Sequence, residues 1–264
     1  MKVLTLSEIW IYPVKSLGGI QMKSAKVMPK GLEHDRRWML VNDERGFMTQ
    51  RDYPKMALLK LSFGSDGFIV TSDKDTLHIP FNMNAQKQTV TKVWDDTVTT
   101  LEAGSHYNSW FSDILDVKCK LVQFPEINPR PVDAQYKINN DHVSLADGFP
   151  FLIIGQSSLN DLNIRLTTPV PMNRFRPNLV FTGGDPYEED NWRNFSVGAN
   201  KFVGVKPCSR CVMTTINQDT AEKNAEPLKT LAAYRRQNNK IYFGQNVIAV
   251  DFTEIFVGDT ILLN

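Results

Sequence analysis

The chain has 264 residues, is 42% hydrophobic and 22% charged, and carries a net charge of +1 from 30 basic and 29 acidic residues. That length admits one large domain or two smaller ones, each able to bury a core. The charge balance offers no attraction to nucleic acid or an anionic membrane, so any basic patch is local and suits a small phosphorylated ligand.

At the N-terminus the apolar run after Lys2 is broken by Glu8, Pro13 and Lys15, which argues against a signal peptide, and no stretch is long enough to span a bilayer. Strands are predicted over 4–12, 38–41, 58–62 and 67–71, with a turn at Gly64-Ser65-Asp66 between the last two. A hairpin joins 89–94 to 97–101 across Asp95-Asp96. Residues 105–115 then read as a helix, because Trp110, Phe111, Ile114 and Leu115 share one face and Ser105 stands at the N-cap position. Residues 118–124 return to strand. The proline-bearing segment 125–140 marks a boundary, dividing the chain into 1–125 and 126–264. Beyond it, strands are expected over 149–154, 179–182, 201–207, 212–216, 247–250 and 260–263. Helices are expected over 157–166, capped by Ser157 or Ser158, and over 227–236. The fold class is therefore mainly β with a few helices (α+β), of sandwich or barrel type.

Four segments have chemical potential. The first is Pro207-Cys208-Ser209-Arg210-Cys211. A structural zinc site needs four ligands, and Cys119 with four scattered histidines offers no second pair. A dithiol redox pair usually opens a helix, whereas Cys211 leads into a strand-like run. Two buried structural cysteines remain a reading of equal weight. Arg210 favours a thiolate, the form that a soft metal binds. Three cysteines, two of them in CxxC, form no secreted disulfide framework, and a reducing, cytoplasmic location fits them.

The second segment, Tyr12-Pro13-Val14-Lys15-Ser16-Leu17-Gly18-Gly19, reads as an anion-binding loop with a lysine charge, a hydroxyl and glycines that admit backbone N–H groups, or else as a glycine turn. The third, His34-Asp35-Arg36-Arg37-Trp38, offers an arginine fork held by Asp35, or a solvated turn. In the fourth, Asn173-Arg174-Phe175-Arg176-Pro177-Asn178, an extended chain would set Arg176 and Asn178 on one side, suited to a heteroatom-rich ring; a basic loop is the plainer reading.

Taken together and in this order, these segments, with EPLKTLAAYRR and FGQNVIAV after them, resemble the MOSC family with its N-terminal partner domain. Within it they look most like the amidoxime-reducing components and bacterial reductases of N-hydroxylated bases. The resemblance implies a β-rich N-terminal domain and a β-barrel-like MOSC domain enclosing a molybdenum–pterin cofactor. It implies that Cys211 ligates molybdenum, and that Lys15, Ser16, Arg36, Arg176, Asn178, Ser209 and Arg210 hold the cofactor, with Arg210 able to stabilise charge beside the metal. Where some relatives carry a threonine–serine pair, this chain has Gly148 and Phe149, leaving only backbone contacts there.

The implied reaction reduces the N–O bond of a small N-hydroxylated substrate, with two electrons and two protons, to the amine or amidine and water. Some relatives continue into a ferredoxin-like domain, and this chain stops at Asn264, so electrons are expected from a separate ferredoxin-, flavodoxin- or cytochrome-type protein and its reductase. No GxGxxG fingerprint follows a strand, so direct use of a nicotinamide is not expected. A module that carries the cofactor without catalysis is the alternative, and a thiol oxidoreductase the third.

Overall fold

In the computed structural model, which describes residues 3–44, 46–83 and 87–264, seven strands close into a ring. The order is Phe151–Gly155, Leu179–Thr182, Leu4–Ile11, Thr260–Leu263, Asn194–Val197, Asn200–Arg210 and Lys240–Ala249, whose far edge pairs back onto Phe151–Gly155. Closure leaves no open edge. Every pairing in the ring is antiparallel except that of Phe151–Gly155 with Leu179–Thr182, and helix α1 (Gln156–Ile164) makes the crossover between those two.

The first strand of the chain thus lies inside a barrel built otherwise from the C-terminal half. Its Leu4, Leu6, Ile9 and Ile11 are buried, with a register shift between Leu6 and Glu8. The rest of the N-terminal half forms a four-stranded sheet, Trp38–Val41, Lys120–Gln123, Asp96–Glu102 and Gln88–Val93, beside a meander of Lys60–Phe63, Gly67–Thr71 and Thr76–Pro80. Ser24–Met28 pairs with Glu254–Phe256, a second tie between the halves. Helix Ser105–Leu115 buries Trp110, Phe111 and Leu115.

Several expectations need correction. The caps are glycines, Gly104 before helix 105–115 and Gly155 before α1, with no side-chain cap in either case. Ser157 and Ser158 lie inside α1, and their hydroxyls donate to the Gly184 carbonyl and the Glu189 carboxylate. Residue 58 ends a 3-10 turn begun at Pro54. The hairpin turns at Trp94-Asp95, since Asp96 pairs with Val93. Residues 212–216 are not a strand: Val212–Thr215 is a 3-10 turn. The reason is local, because Thr214 Oγ1 donates to the Cys211 carbonyl at 3.0 Å and Thr215 Oγ1 to the Val212 carbonyl at 2.8 Å, bonds that compete with a ladder. No helix among the described residues is long and apolar enough to cross a membrane.

Glu189 is fully buried against α1, accepting from Ser158 Oγ at 2.9 Å and the Gly155 N–H at 3.2 Å. Burial raises its carboxyl to about 7. A raised folded-state value means that the native protein holds this proton more tightly than the unfolded chain, so its contribution to stability falls as pH rises from about 4.5 towards 7. Thermal melting of the wild type at pH 5.5 and 8 should show part of this loss, and Glu189→Gln should narrow the gap between the two temperatures. An unchanged gap would place the proton elsewhere.

Candidate functional site

Where the first strand leaves the barrel, residues 12–17 run along the N-terminal sheet and are tied to the 35–38 segment. The Lys15 N–H donates to the Trp38 carbonyl at 2.7 Å and the Arg36 N–H to the Tyr12 carbonyl at 3.0 Å. Asp35, fully buried, accepts from the Tyr12 N–H at 2.8 Å and from Arg36 Nη1 at 2.6 Å. The fork expected of Asp35 and Arg36 is therefore present, while Arg37 points away to an ion pair with Glu126.

Arg36 reaches across to the barrel, donating to Asn178 Oδ1 at 3.0 Å and to the Arg176 carbonyl at 3.2 Å. The guanidiniums of Arg36 and Arg176 both stack on the Tyr12 ring, 4.3 and 4.2 Å from its centroid. One aromatic quadrupole thus holds two like charges in place. Burial raises the Tyr12 phenol to about 12 and lowers Arg176 to about 10, so at neutral pH the first is neutral and the second charged.

These groups open onto one cleft. All the residues expected at a cofactor site line it: Lys15, Ser16 and Arg36 from the N-terminal half, and Gly148, Phe149, Arg176, Asn178, Ser209, Arg210 and Cys211 from the C-terminal half. The mechanism of convergence differs from the expected one in three places. Arg176 has φ 54, so alternation along an extended chain does not bring it beside Asn178. Asn178 spends most of its capacity on the fold, accepting from Arg36 and from the Leu152 N–H at 3.3 Å and donating to the Trp10 carbonyl at 3.1 Å. Gly18 and Gly19 do not line the cleft: the Gly18 N–H donates to the Leu59 carbonyl at 2.9 Å, and a Cβ on Gly19 would stand 2.6 Å from the Tyr12 ring. The smallness of Gly19 seats Tyr12, and that of Gly18 admits the Leu59 backbone. Ser16, Arg36 and Arg176 all sit at positive φ (68, 52 and 54), strain that in non-glycine residues concentrates at functional positions.

The cysteines occupy different settings. A register shift between Pro207 and Ser209 re-aims the strand at Cys208, which is half-buried and accepts from Arg210 Nη1 at 2.9 Å. Cys211, just past the strand, is exposed in the cleft and heads the 3-10 turn. Arg210 thus serves Cys208 and the Phe175 carbonyl, and its side chain makes no bond to the Cys211 sulfur.

Lining residues that sequence reasoning did not single out include Thr49, Arg51, Asp147 and Arg174. With Arg51 and Arg174, six cationic side chains line the cleft against one carboxylate, Asp147. Lys15 pairs with Asp147 and Arg36 with Asp35, whereas Arg51, Arg174, Arg176 and Arg210 have no carboxylate within 4 Å among the described residues. Arg174 and Arg210 also keep a buried Nε without a partner. Burial pulls the Lys15 ammonium below its ordinary value, opposed by Asp147. A cleft with this unspent donor capacity calls for an anionic, acceptor-rich ligand. Among the described residues no group of three His, Cys, Asp or Glu side chains could hold a metal. A metal on Cys211 must therefore arrive with most of its ligands.

Residues 3–118 match the MOSC N-terminal beta barrel domain and residues 140–262 the MOSC domain. The chain belongs to the MOSC family. It is 32% identical to mitochondrial amidoxime-reducing component 1 of Mus musculus, over 99% of this chain and 83% of that one, and 33% identical to the Homo sapiens protein of the same name with the same coverage. It is also 32% identical to molybdenum cofactor sulfurase of Oryza sativa subsp. japonica, over 96% of this chain but only 33% of that longer protein.

The unpaired guanidiniums make an anion test direct. Phosphate, compared with chloride at matched ionic strength, should raise the melting temperature by a few degrees, as expected when a ligand at about ten times its Kd adds roughly 1.4 kcal/mol. Arg176→Gln should lose most of that increment. Equal shifts in both proteins would move the anion site out of the cleft.

Proposed function

We propose that this chain is a molybdenum-cofactor-dependent oxidoreductase that reduces N-hydroxylated compounds such as amidoximes and N-hydroxylated bases. The observation that carries the reading is the pairing of an exposed thiol with unpaired guanidiniums in one cleft between the halves, in a chain nearly a third identical to amidoxime-reducing components. The residues present fit the cofactor. Cys211 offers a soft donor to a metal that brings its remaining ligands, and Lys15, Arg36, Arg174, Arg176 and Arg210 offer charge and N–H donors to phosphate and to polar pterin edges. When bound, the cofactor would supply the two-electron chemistry that removes oxygen from nitrogen.

The chain's own residues bind and orient. Arg36 and Arg176, fixed on Tyr12, present a rigid cationic wall, so little reorganisation accompanies ligand binding. Gly148 and Phe149 also line the cleft. A Cβ on Gly148 would meet nothing within 4 Å, so the space that a larger residue would fill is open to ligand or water. Residues 1–125 and 126–264 act as the two jaws, with the first strand lent to the second jaw. Electrons come from a separate ferredoxin-, flavodoxin- or cytochrome-type protein with its reductase, and the free thiols suit a reducing cytoplasm. A second reading, a cofactor-handling module without catalysis, is favoured by the match to the sulfurase.

Cys211→Ser should abolish bound molybdenum and turnover, while Cys208→Ser should retain measurable metal, because Cys208 already takes an Arg210 N–H. Metal analysis of both folded variants decides it, and equal loss would undo the assignment within CxxC. Loaded protein should reduce an amidoxime with dithionite-reduced viologen but stay silent with NADH or NADPH alone. Silence under both conditions would leave the carrier reading standing.

A further inference from the structure

Asp147 stands out in the cleft as its sole lining carboxylate among the described residues. Its backbone is locked by Arg130, itself 2% exposed, which donates from Nη1 to the Ser144 and Ala146 carbonyls at 2.6 and 2.5 Å and from Nη2 to the Asp147 carbonyl at 3.1 Å. Its side chain is locked through one oxygen only. Oδ1 accepts from Lys15 Nζ at 2.5 Å and from Trp94 Nε1 at 3.1 Å, whereas Oδ2 accepts no hydrogen bond among the described residues. The side chain is 65% exposed, and the residue lines the cleft.

Trp94 reinforces the point. It occupies the hairpin turn at φ 57, a left-handed position that favours glycine and strains a bulky residue. Arg51 covers its ring at 4.4 Å and Phe47 meets it edge-on at 5.1 Å. Strain of this kind persists only where the surroundings over-determine it. Here the strained indole spends its N–H on Asp147 Oδ1. The Lys15 ammonium, with the hydrogen bonds from Lys15 and Trp94, holds the Asp147 carboxyl below the usual carboxylate range. Asp147 is therefore an ionised acceptor at neutral pH, with one oxygen free in a cleft whose other charged lining residues are all cationic.

We propose that Asp147 is the substrate-binding carboxylate: its Oδ2 accepts an N–H or O–H of the ligand and selects N-hydroxylated compounds with a hydrogen-bond donor beside the N–O bond over N-oxides with none. Amidoximes, N-hydroxyguanidines and N-hydroxylated amino-bases carry such a donor, and tertiary-amine and pyridine N-oxides do not. Lys15, Trp94 and Arg130 act as positioning residues for this acceptor. The assignment rests on the reductase reading above, which it deepens by naming a residue for substrate choice.

The test uses cofactor-loaded protein, reduced viologen, and the substrates benzamidoxime and pyridine N-oxide, with molybdenum and pterin measured in every sample. Asp147→Asn should lower the ratio of kcat/KM for benzamidoxime over pyridine N-oxide by about tenfold or more, mainly through KM, because a charge-assisted hydrogen bond is replaced by a weak one. Trp94→Phe should lower the ratio less. An unchanged ratio, or equal losses on both substrates, would overturn the proposal. A second measurement needs no turnover. In cofactor-free protein with 15N-labelled tryptophan, the Trp94 indole N–H signal, assigned by its absence in Trp94→Phe, should shift on addition of benzamidoxime but not of pyridine N-oxide. Asp147→Asn should abolish that shift. An indole signal indifferent to benzamidoxime would also refute the acceptor role. If wild-type protein reduces neither substrate while the indole response persists, the reductase reading fails and the acceptor survives.

Discussion

A carboxylate with no contact to water must find hydrogen bonds and opposite charge within the protein. Asp35 finds them in the Tyr12 N–H and the Arg36 guanidinium, and the architecture of the cleft follows from those two bonds. The first bond ties the end of the first barrel strand to the N-terminal sheet. The second aims Arg36 at Asn178 and the Arg176 carbonyl on the other side. Removing Arg36 would leave the buried Asp35 charge uncompensated, a defect of about 3–5 kcal/mol for typical buried pairs. The halves are therefore joined at the site itself.

Electrostatics set the character of the cleft. Two guanidiniums share one tyrosine ring, and four of the six lining cations have no acidic partner among the described residues. Such an arrangement is costly without a ligand and stabilising with one. The same cationic surroundings keep Asp147 ionised, so the charged lining of the cleft is cationic except at one point. The anionic cofactor and the donor-bearing substrate proposed above would make opposite demands, and different residues of the cleft would meet them.

Much of this was legible before any coordinates. The strand assignments over 38–41, 67–71, 179–182 and 260–263 coincide with the observed ones, as does the helix over 105–115. In each, apolar periodicity and packing point the same way. Residues 212–216 misled because β-branched composition suggested a strand, whereas threonine hydroxyls folded the backbone into a turn. The glycines after Ser16 suggested an anion-binding loop, yet Gly19 makes room for a tyrosine ring and Gly18 for the Leu59 backbone. Asp147, Trp94, Arg51 and Arg174 lacked a readable signal, since each is an ordinary residue in its local segment.

By itself the sequence determined the mainly β class, through local periodicity, and its four short segments of adjacent residues carried the resemblance to the MOSC family, from which a shared cofactor site was expected. Only the tertiary structure decided that the first strand completes a barrel of the C-terminal half, since strand pairing is a non-local contact with no local signature. It alone also decided which charges are paired. Lys15 and Asp147 are 132 residues apart, and Arg36 and Asn178 are 142 apart. Whether a cation is neutralised or left for a ligand depends on distances of a few ångströms that chain closure sets.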